Sequence, residues 1–151
     1  MAYRWQISQF EALSNAELYA LLRLRQEVFV LEQECLYQDL DNRDQSAVHL
    51  FCWEKNELMA YQRALAPGAC FADSALGRIV VSVKARGHQV GKALVQRGVQ
   101  HNLTRWPEHD VRINGQARLE HFYRSLGFAV EGDLFDEDGI PHLHMVYRRL
   151  R

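Results

Sequence analysis

Hydrophobic and polar positions alternate from Tyr3 to Phe10, the period of a half-buried strand. The pattern then changes. Ser14-Asn-Ala-Glu17 is a capping box, with Ser14 at the N-cap and Glu17 three residues on. Leu18, Leu21, Leu22, Val28 and Phe29 follow on one helical face, and Arg25 sits on the same stripe. Residues 32–45 are irregular and acidic. Ala47 to Glu54 and Leu58 to Leu65 read as a hairpin around the turn Lys55-Asn-Glu57. Residues 66–77 are rich in breakers and read as a loop. Residues 77–83 form the most β-branched run, a third strand.

A helix is predicted from Gly91 to about Thr104, with Val90, Leu94, Val95 and Val99 on its apolar side. Trp106-Pro-Glu breaks it, and Val111-Arg-Ile113 is a short strand. Leu119, Phe122, Tyr123 and Leu126 mark the next helix, with Gly127 as its cap. Residues 128–130 and 142–147 are closing strands around an acidic loop at 133–141. Residues 77–113 form a βαβ unit, so its two strands are expected to be parallel and the others antiparallel. The fold class is α+β: a mixed, mostly antiparallel sheet with helices beside it.

Composition narrows the function classes. A chain of 151 residues fits a single domain, 1–151. Eighteen basic residues against nineteen acidic ones give a net charge of −1, so no global field favours nucleic acid. The start of the chain has no apolar signal-like run and no stretch is apolar over eighteen residues, which points to a cytoplasmic protein without a membrane partner. Cys35, Cys52 and Cys70 are odd in number and lack a CxxC spacing. They read as reduced, partly buried thiols. His142 and His144 share a strand face, but no third ligand stands at a suitable spacing, so no metal is expected.

Two segments carry candidate chemistry. In the first, a β-rich strand runs into Arg86-Gly-His-Gln-Val-Gly91 and opens a helix. Unpaired amides at a helix N-terminus suit a pyrophosphate. Gly87 and Gly91 allow close approach, and Arg86 and Lys92 add charge. A strand, a glycine turn and a helix also occur without any ligand. The second is Leu119-Glu-His-Phe-Tyr-Arg-Ser-Leu-Gly-Phe128, where Phe122 and Tyr123 also suit a hydrophobic core.

Together the two segments resemble the GNAT superfamily of acyl-CoA N-acyltransferases. That family carries R/Q-x-x-G-x-G/A after its fourth strand and a Phe-Tyr-x-x-x-Gly-Phe-like run in its fourth helix. Gln89 stands where the pattern has its first glycine. Three further stretches, Arg23 to Gln33, Tyr37 to Asp41 and Glu137 to His142, are similar to the ElaA-like branch.

The resemblance implies a GNAT-like fold, with acetyl-CoA lying between strand 77–83 and strand 111–113. The backbone of Val81 and Val83 would pair with the pantetheine arm, and the amides of Arg86, Gly87, His88, Gln89, Val90, Gly91 and Lys92 would hold the pyrophosphate. Plain strand packing also accounts for Val81 and Val83. The implied reaction is direct attack of an amine on the thioester, with Tyr123 protonating the thiolate. Glu32, Glu137 and His142 are candidate bases, with a chain of waters as the alternative. The acceptor would be a primary amine of a small molecule or peptide. Carboxylates at 32–44 would favour a cationic one, and Arg25 is expected to pair with one of them. Two alternatives stay open: a CoA-binding sensor without turnover, and an adaptor that binds protein through the acidic 32–44 surface. A homodimer is compatible with the sequence but not required by it.

Overall fold

A computed structural model describes residues 2–150; residues 1 and 151, the ends of the expected domain, lie outside the described residues. The strands are β1 (Arg4–Gln9), β2 (Val48–Glu54), β3 (Glu57–Leu65), β4 (Ser74–Val81), β5 (Val111–Gln116), β6 (Ala129–Val130), β7 (Phe135–Glu137) and β8 (Ile140–Tyr147). The helices are α1 (Asn15–Arg25), α2 (Val90–Arg105) and α3 (Glu120–Ser125). The strands form one sheet in the order β1-β2-β3-β4-β5-β8-β6, with β7 paired to β8. Only β4 and β5 run parallel among the described pairs.

The two-residue period of the strands sorts the core into two layers. Phe51, Trp53 and Tyr61 pack against Leu21, Leu24 and Val28 of the first helical segment. The neighbouring positions Leu50 and Ala64 face Val95 and Val99 of α2. The central strands are therefore covered on both sides, and their sequences read as nearly continuous apolar runs.

The capping box forms as predicted. Ser14 Oγ accepts from the Glu17 amide, and the Glu17 carboxylate accepts from the Ser14 amide. Beyond α1 the helix widens into a π-helical turn, Gln26–Glu32. Glu32, read as the start of the irregular segment, is thus the last residue of a helical arm.

Three segments beside the cleft differ from the sequence reading. First, the expected strand 77–83 is Ser74–Val81. Ser74, Ala75 and Leu76 read as loop because they follow a breaker-rich stretch, yet they are buried strand residues. Asn102 of α2 donates to Ser74 Oγ and to the Ala75 carbonyl, which holds this start in place. Val83 falls outside the strand in a 3-10 turn, Val83–Ala85, and is 67% exposed. Ser82 causes this by accepting a hydrogen bond from the Lys84 amide, which turns the chain. Second, β5 continues through Asn114, Gly115 and Gln116. Third, the loop 133–141 contains a small hairpin, with Glu137 paired to Ile140. Cys35 and Cys52 are buried, whereas Cys70 is exposed. No helix among the described residues is long and apolar enough to cross a membrane.

Candidate active site

The parallel pair defines the site. β4 and β5 are in register only at Ser74–Val111 and Ala75–Arg112. After that they part. On the other edge of β4, Val80 pairs with Tyr61 and Gly77 with Arg63, so Gln62 alone faces Arg78 and Ile79. This bulge places Arg78 at φ 49°, a left-handed conformation. A bulge bends its strand and increases the twist, which carries β4 away from β5. A cleft of about 900 Å³ opens between Gly77–Val81 on one wall and Asn114–Gln116 on the other. Beyond Ala75 the edge of β4 facing it has no strand partner among the described residues, and only a side chain, Arg86, reaches its Val81 carbonyl, so the edge suits an extended ligand.

At one end of the cleft is the turn into α2. Gln89 is the N-cap of that helix, at φ 63°. The departure from the family pattern therefore falls on a left-handed residue, the conformation a glycine takes without cost. Its side chain makes no capping bond, so the first amides of α2 lack side-chain capping. Gly87, Gln89, Gly91 and Lys92 line the cleft, and Val90 lines it while anchoring in the core beneath. His88 is exposed and does not line the cleft, nor does Val83. Arg86 lines it too, but its guanidinium is held by Glu32 at 2.6 and 2.7 Å.

Tyr123 sits deep in the cleft wall on α3. The helix is short and ends in a Schellman motif: Phe128 N–H donates to the Tyr123 carbonyl and Gly127 N–H to that of Arg124. Gly127, at φ 101°, supplies the left-handed residue this motif needs. Phe122 and Phe128 meet the Tyr123 ring edge-on, with centroids 5.2 and 5.9 Å away. Across the ring lies Gly115. A Cβ there would come within 3.0 Å of Tyr123 Cε2 and 2.7 Å of Met145 Cε. Burial pushes the Tyr123 phenol up to about 12. The Tyr123 ring is packed in the core, and the residue also lines the cleft.

His142 and Glu137 line the cleft's other end. The antiparallel register sets His142 opposite Gln116 of β5 and Phe135 of β7. His142 Nδ1 lies 2.7 Å from the Ile140 carbonyl and must donate to it. In the neutral ring, Nε2 then carries the lone pair, and it faces Glu137 at 3.5 Å. The neighbouring His144 is engaged elsewhere, by Asn114 and Arg112.

The acidic stretch behaves differently from its expected role. Arg25, fully buried, pairs with Asp39 at 2.8 Å and Asp44 at 2.7 Å. Arg63 pairs with Asp41 and Asp44, and Arg78 with Asp39 and Asp41. Three guanidinium groups thus neutralise three carboxylates. Burial works against the ionisation of Asp41 and Asp44, but Arg63 and Arg25 outweigh it and hold both low. The expected acidic surface at 32–44 is therefore largely turned inward, and Glu32 is spent on Arg86. Reading sequence charge as surface charge failed because the partners lie 14 to 54 positions away.

Asn114, Gly115 and Gln116 were missed as site residues. Asn and Gly are poor strand formers, so the only local signal was the end of a β-branched run. Arg78 was missed because a bulge depends on the partner strand.

The family model described as Acetyltransferase (GNAT) domain matches residues 11–149. Protein ElaA of Escherichia coli strain K12 is 40% identical over 143 residues, covering 93% of this chain and 94% of that protein. The crystal structure of Escherichia coli ElaA superposes with a TM-score of 0.92 at 38% identity, over 97% of this chain and all of that one. That of an acyl-CoA N-acyltransferase from Pseudomonas aeruginosa does so with a TM-score of 0.92 at 37% identity and the same coverage. Splayed parallel strands, the turn into α2 and the matching motifs agree with these likenesses: the chain belongs to the GNAT acetyltransferase family, in its ElaA-like branch.

Proposed function

We propose that this protein is an N-acetyltransferase that moves an acetyl group from acetyl-CoA to a primary amine of a small molecule or peptide, by direct attack in a ternary complex. The observation that carries the proposal is the open edge of β4, which joins the α2 N-terminus to Tyr123, His142 and Glu137 through one cleft. The pantetheine arm fits that edge as an added strand would. In this reading Val81 and its neighbours within β4 make the backbone contact, and Val83, outside the strand, does not. The pyrophosphate fits the amides around Gln89 to Lys92, with charge from Lys92 and Arg86.

Bound acetyl-CoA supplies a thioester carbonyl open to attack. A backbone N–H of β4 near Val81 donates to its oxygen as charge develops there. His142 Nε2 accepts the proton that the acceptor amine must lose, and Glu137 steadies the resulting imidazolium. Tyr123 donates its phenolic proton to the departing sulfur. No covalent enzyme intermediate is needed. Glu32 is the weaker base: Arg86 lowers its pKa in the free protein, and the charge of Arg118 lowers it as well. Glu137 and Asp138, beside His142 at the cleft, are the carboxylates left to favour a cationic acceptor. In this reading residues 1–151 act as one catalytic domain.

Calorimetry with acetyl-CoA, followed by a thiol-release assay over polyamines, aminoglycosides, amino acids and peptides, tests this reading. Saturable binding with turnover on an amine supports it. Binding without turnover on any amine leaves the sensor alternative. Absence of saturable binding at millimolar acetyl-CoA overturns it.

A further inference from the structure

Glu32 and Gln33 are neighbours in the chain, yet they reach opposite walls of the cleft. Glu32, at the end of the π-helical turn, grips Arg86 beyond the end of β4 with both carboxylate oxygens. Gln33 accepts a hydrogen bond from Gln116 at the end of β5, at 3.0 Å. The pair 32–33 therefore spans the cleft where the two strands have parted. Arg86 makes a third bond, from Nε to the Val81 carbonyl at 3.2 Å.

All three interactions of Arg86 thus stay within the chain, and each involves a group the donor requires. The guanidinium stands at the turn proposed for the pyrophosphate. The Val81 carbonyl belongs to the edge proposed for the pantetheine arm. The ion pair holding Arg86 is half-exposed on both sides, 41% and 42%. Exposed pairs of this kind are weak in water. A pyrophosphate offers the same guanidinium more charge and more acceptor oxygens than a carboxylate does. A π-helical turn at the base of the arm is a local irregularity of the sort found at functional sites.

We propose that Glu32 is an internal competitor for the donor at Arg86: binding of CoA moves the Arg86 guanidinium from Glu32 and the Val81 carbonyl to the pyrophosphate, and releases the arm at 32–33 from the β4 wall. The inference rests on the proposed CoA site. It is an exchange of hydrogen-bonding partners, with no covalent bond made or broken. Glu32 is then a positioning residue whose engagement reports whether the donor site is filled. Arg118 is the other cation whose charge acts on Glu32.

A double-mutant cycle on CoA affinity tests this, with CoA itself titrated by calorimetry into the wild type, Glu32→Gln, Arg86→Gln and the double variant. Glu32→Gln should bind CoA roughly two- to fivefold more tightly than wild type, the size expected when a half-exposed competing pair is removed. Arg86→Gln should bind it more weakly. In the Arg86→Gln background the Glu32→Gln change should have no effect. A role of Glu32 in structure alone would weaken binding, so tightening separates the two. Glu32→Ala serves as the second variant and should tighten binding likewise. Unchanged or weaker binding in both Glu32 variants overturns the proposal. So does equal tightening with and without Arg86, which would mean plain repulsion between Glu32 and phosphate. If the wild type binds no CoA, the proposed function falls too; if it binds and the cycle is flat, only the exchange falls.

Discussion

Nε2 of His142 lies 3.5 Å from a carboxylate oxygen of Glu137, while the opposite ring nitrogen donates to the Ile140 carbonyl at 2.7 Å. The second contact selects the tautomer, and the first sets a negative charge where a proton would arrive. Replacing His142 with Gln removes the lone pair but keeps a polar side chain. The expected outcome is a fall in kcat of about 10²–10⁴-fold with little change in CoA affinity. Glu137→Gln should lower kcat less, because it removes only the partner of the base. Steady-state kinetics beside calorimetry separate these effects; unchanged kcat in His142→Gln would assign the base elsewhere.

Tyr123 gives a prediction about pH. Its phenol is pushed up to about 12 by burial, so it stays protonated, and able to donate, throughout the working range. Tyr123→Phe should lower kcat while leaving CoA binding intact. It should not move either limb of the pH–rate profile below about pH 11, because the lost group does not titrate there. An alkaline limb that disappears in the variant would contradict this assignment.

Gly115 tests the same site through packing. A methyl group at this position meets Tyr123 Cε2 at 3.0 Å and Met145 Cε at 2.7 Å. The methionine end can swing aside, but the ring is held by Phe122 and Phe128. Gly115→Ala should cost about 1–3 kcal/mol of stability. It should also reduce turnover more than CoA affinity, since the strain falls on Tyr123. Denaturant melts and kinetics on the same preparation show both effects.

The network of Arg25, Arg63 and Arg78 with Asp39, Asp41 and Asp44 is a stability element beside the cleft. Removing the fully buried Arg25 as Arg25→Ala leaves Asp39 with Arg78 and Asp44 with Arg63 as their remaining cations, at an expected cost of up to about 3–5 kcal/mol. The pH dependence follows from the depressed carboxylates. Asp41 and Asp44 bind protons more readily unfolded than folded, so their contribution is present above the ordinary value of 3.8 and is lost as pH falls below it. Thermal melts should show stability declining from about pH 4 downward. That decline should be shallower in Asp41→Asn, which starts lower.

Gln89 in its left-handed conformation supplies a last check. A glycine there removes the backbone strain, so Gln89→Gly should leave stability level or raise it by up to about 1 kcal/mol. CoA affinity should hold or improve, because the amides of the turn keep their direction.

Local features were legible in the sequence alone. The capping box at Ser14 and the Schellman end at Gly127 depend on residues within a turn of each other. The strand and helix periods placed most elements, and the Arg86–Gly91 and Phe122–Phe128 stretches carried the family. These signals are short-range, and side-chain chemistry along the chain determines them. The tertiary structure decided the rest. It started β4 at Ser74 through Asn102, excluded Val83, and parted β4 from β5 after two paired positions. It spent the carboxylates of 39–44 on buried arginines and joined Glu32 to Arg86 across 54 positions. Strand register and ion-pair partners are set by which segments the core brings together, and that depends on long-range packing, to which local periodicity is blind.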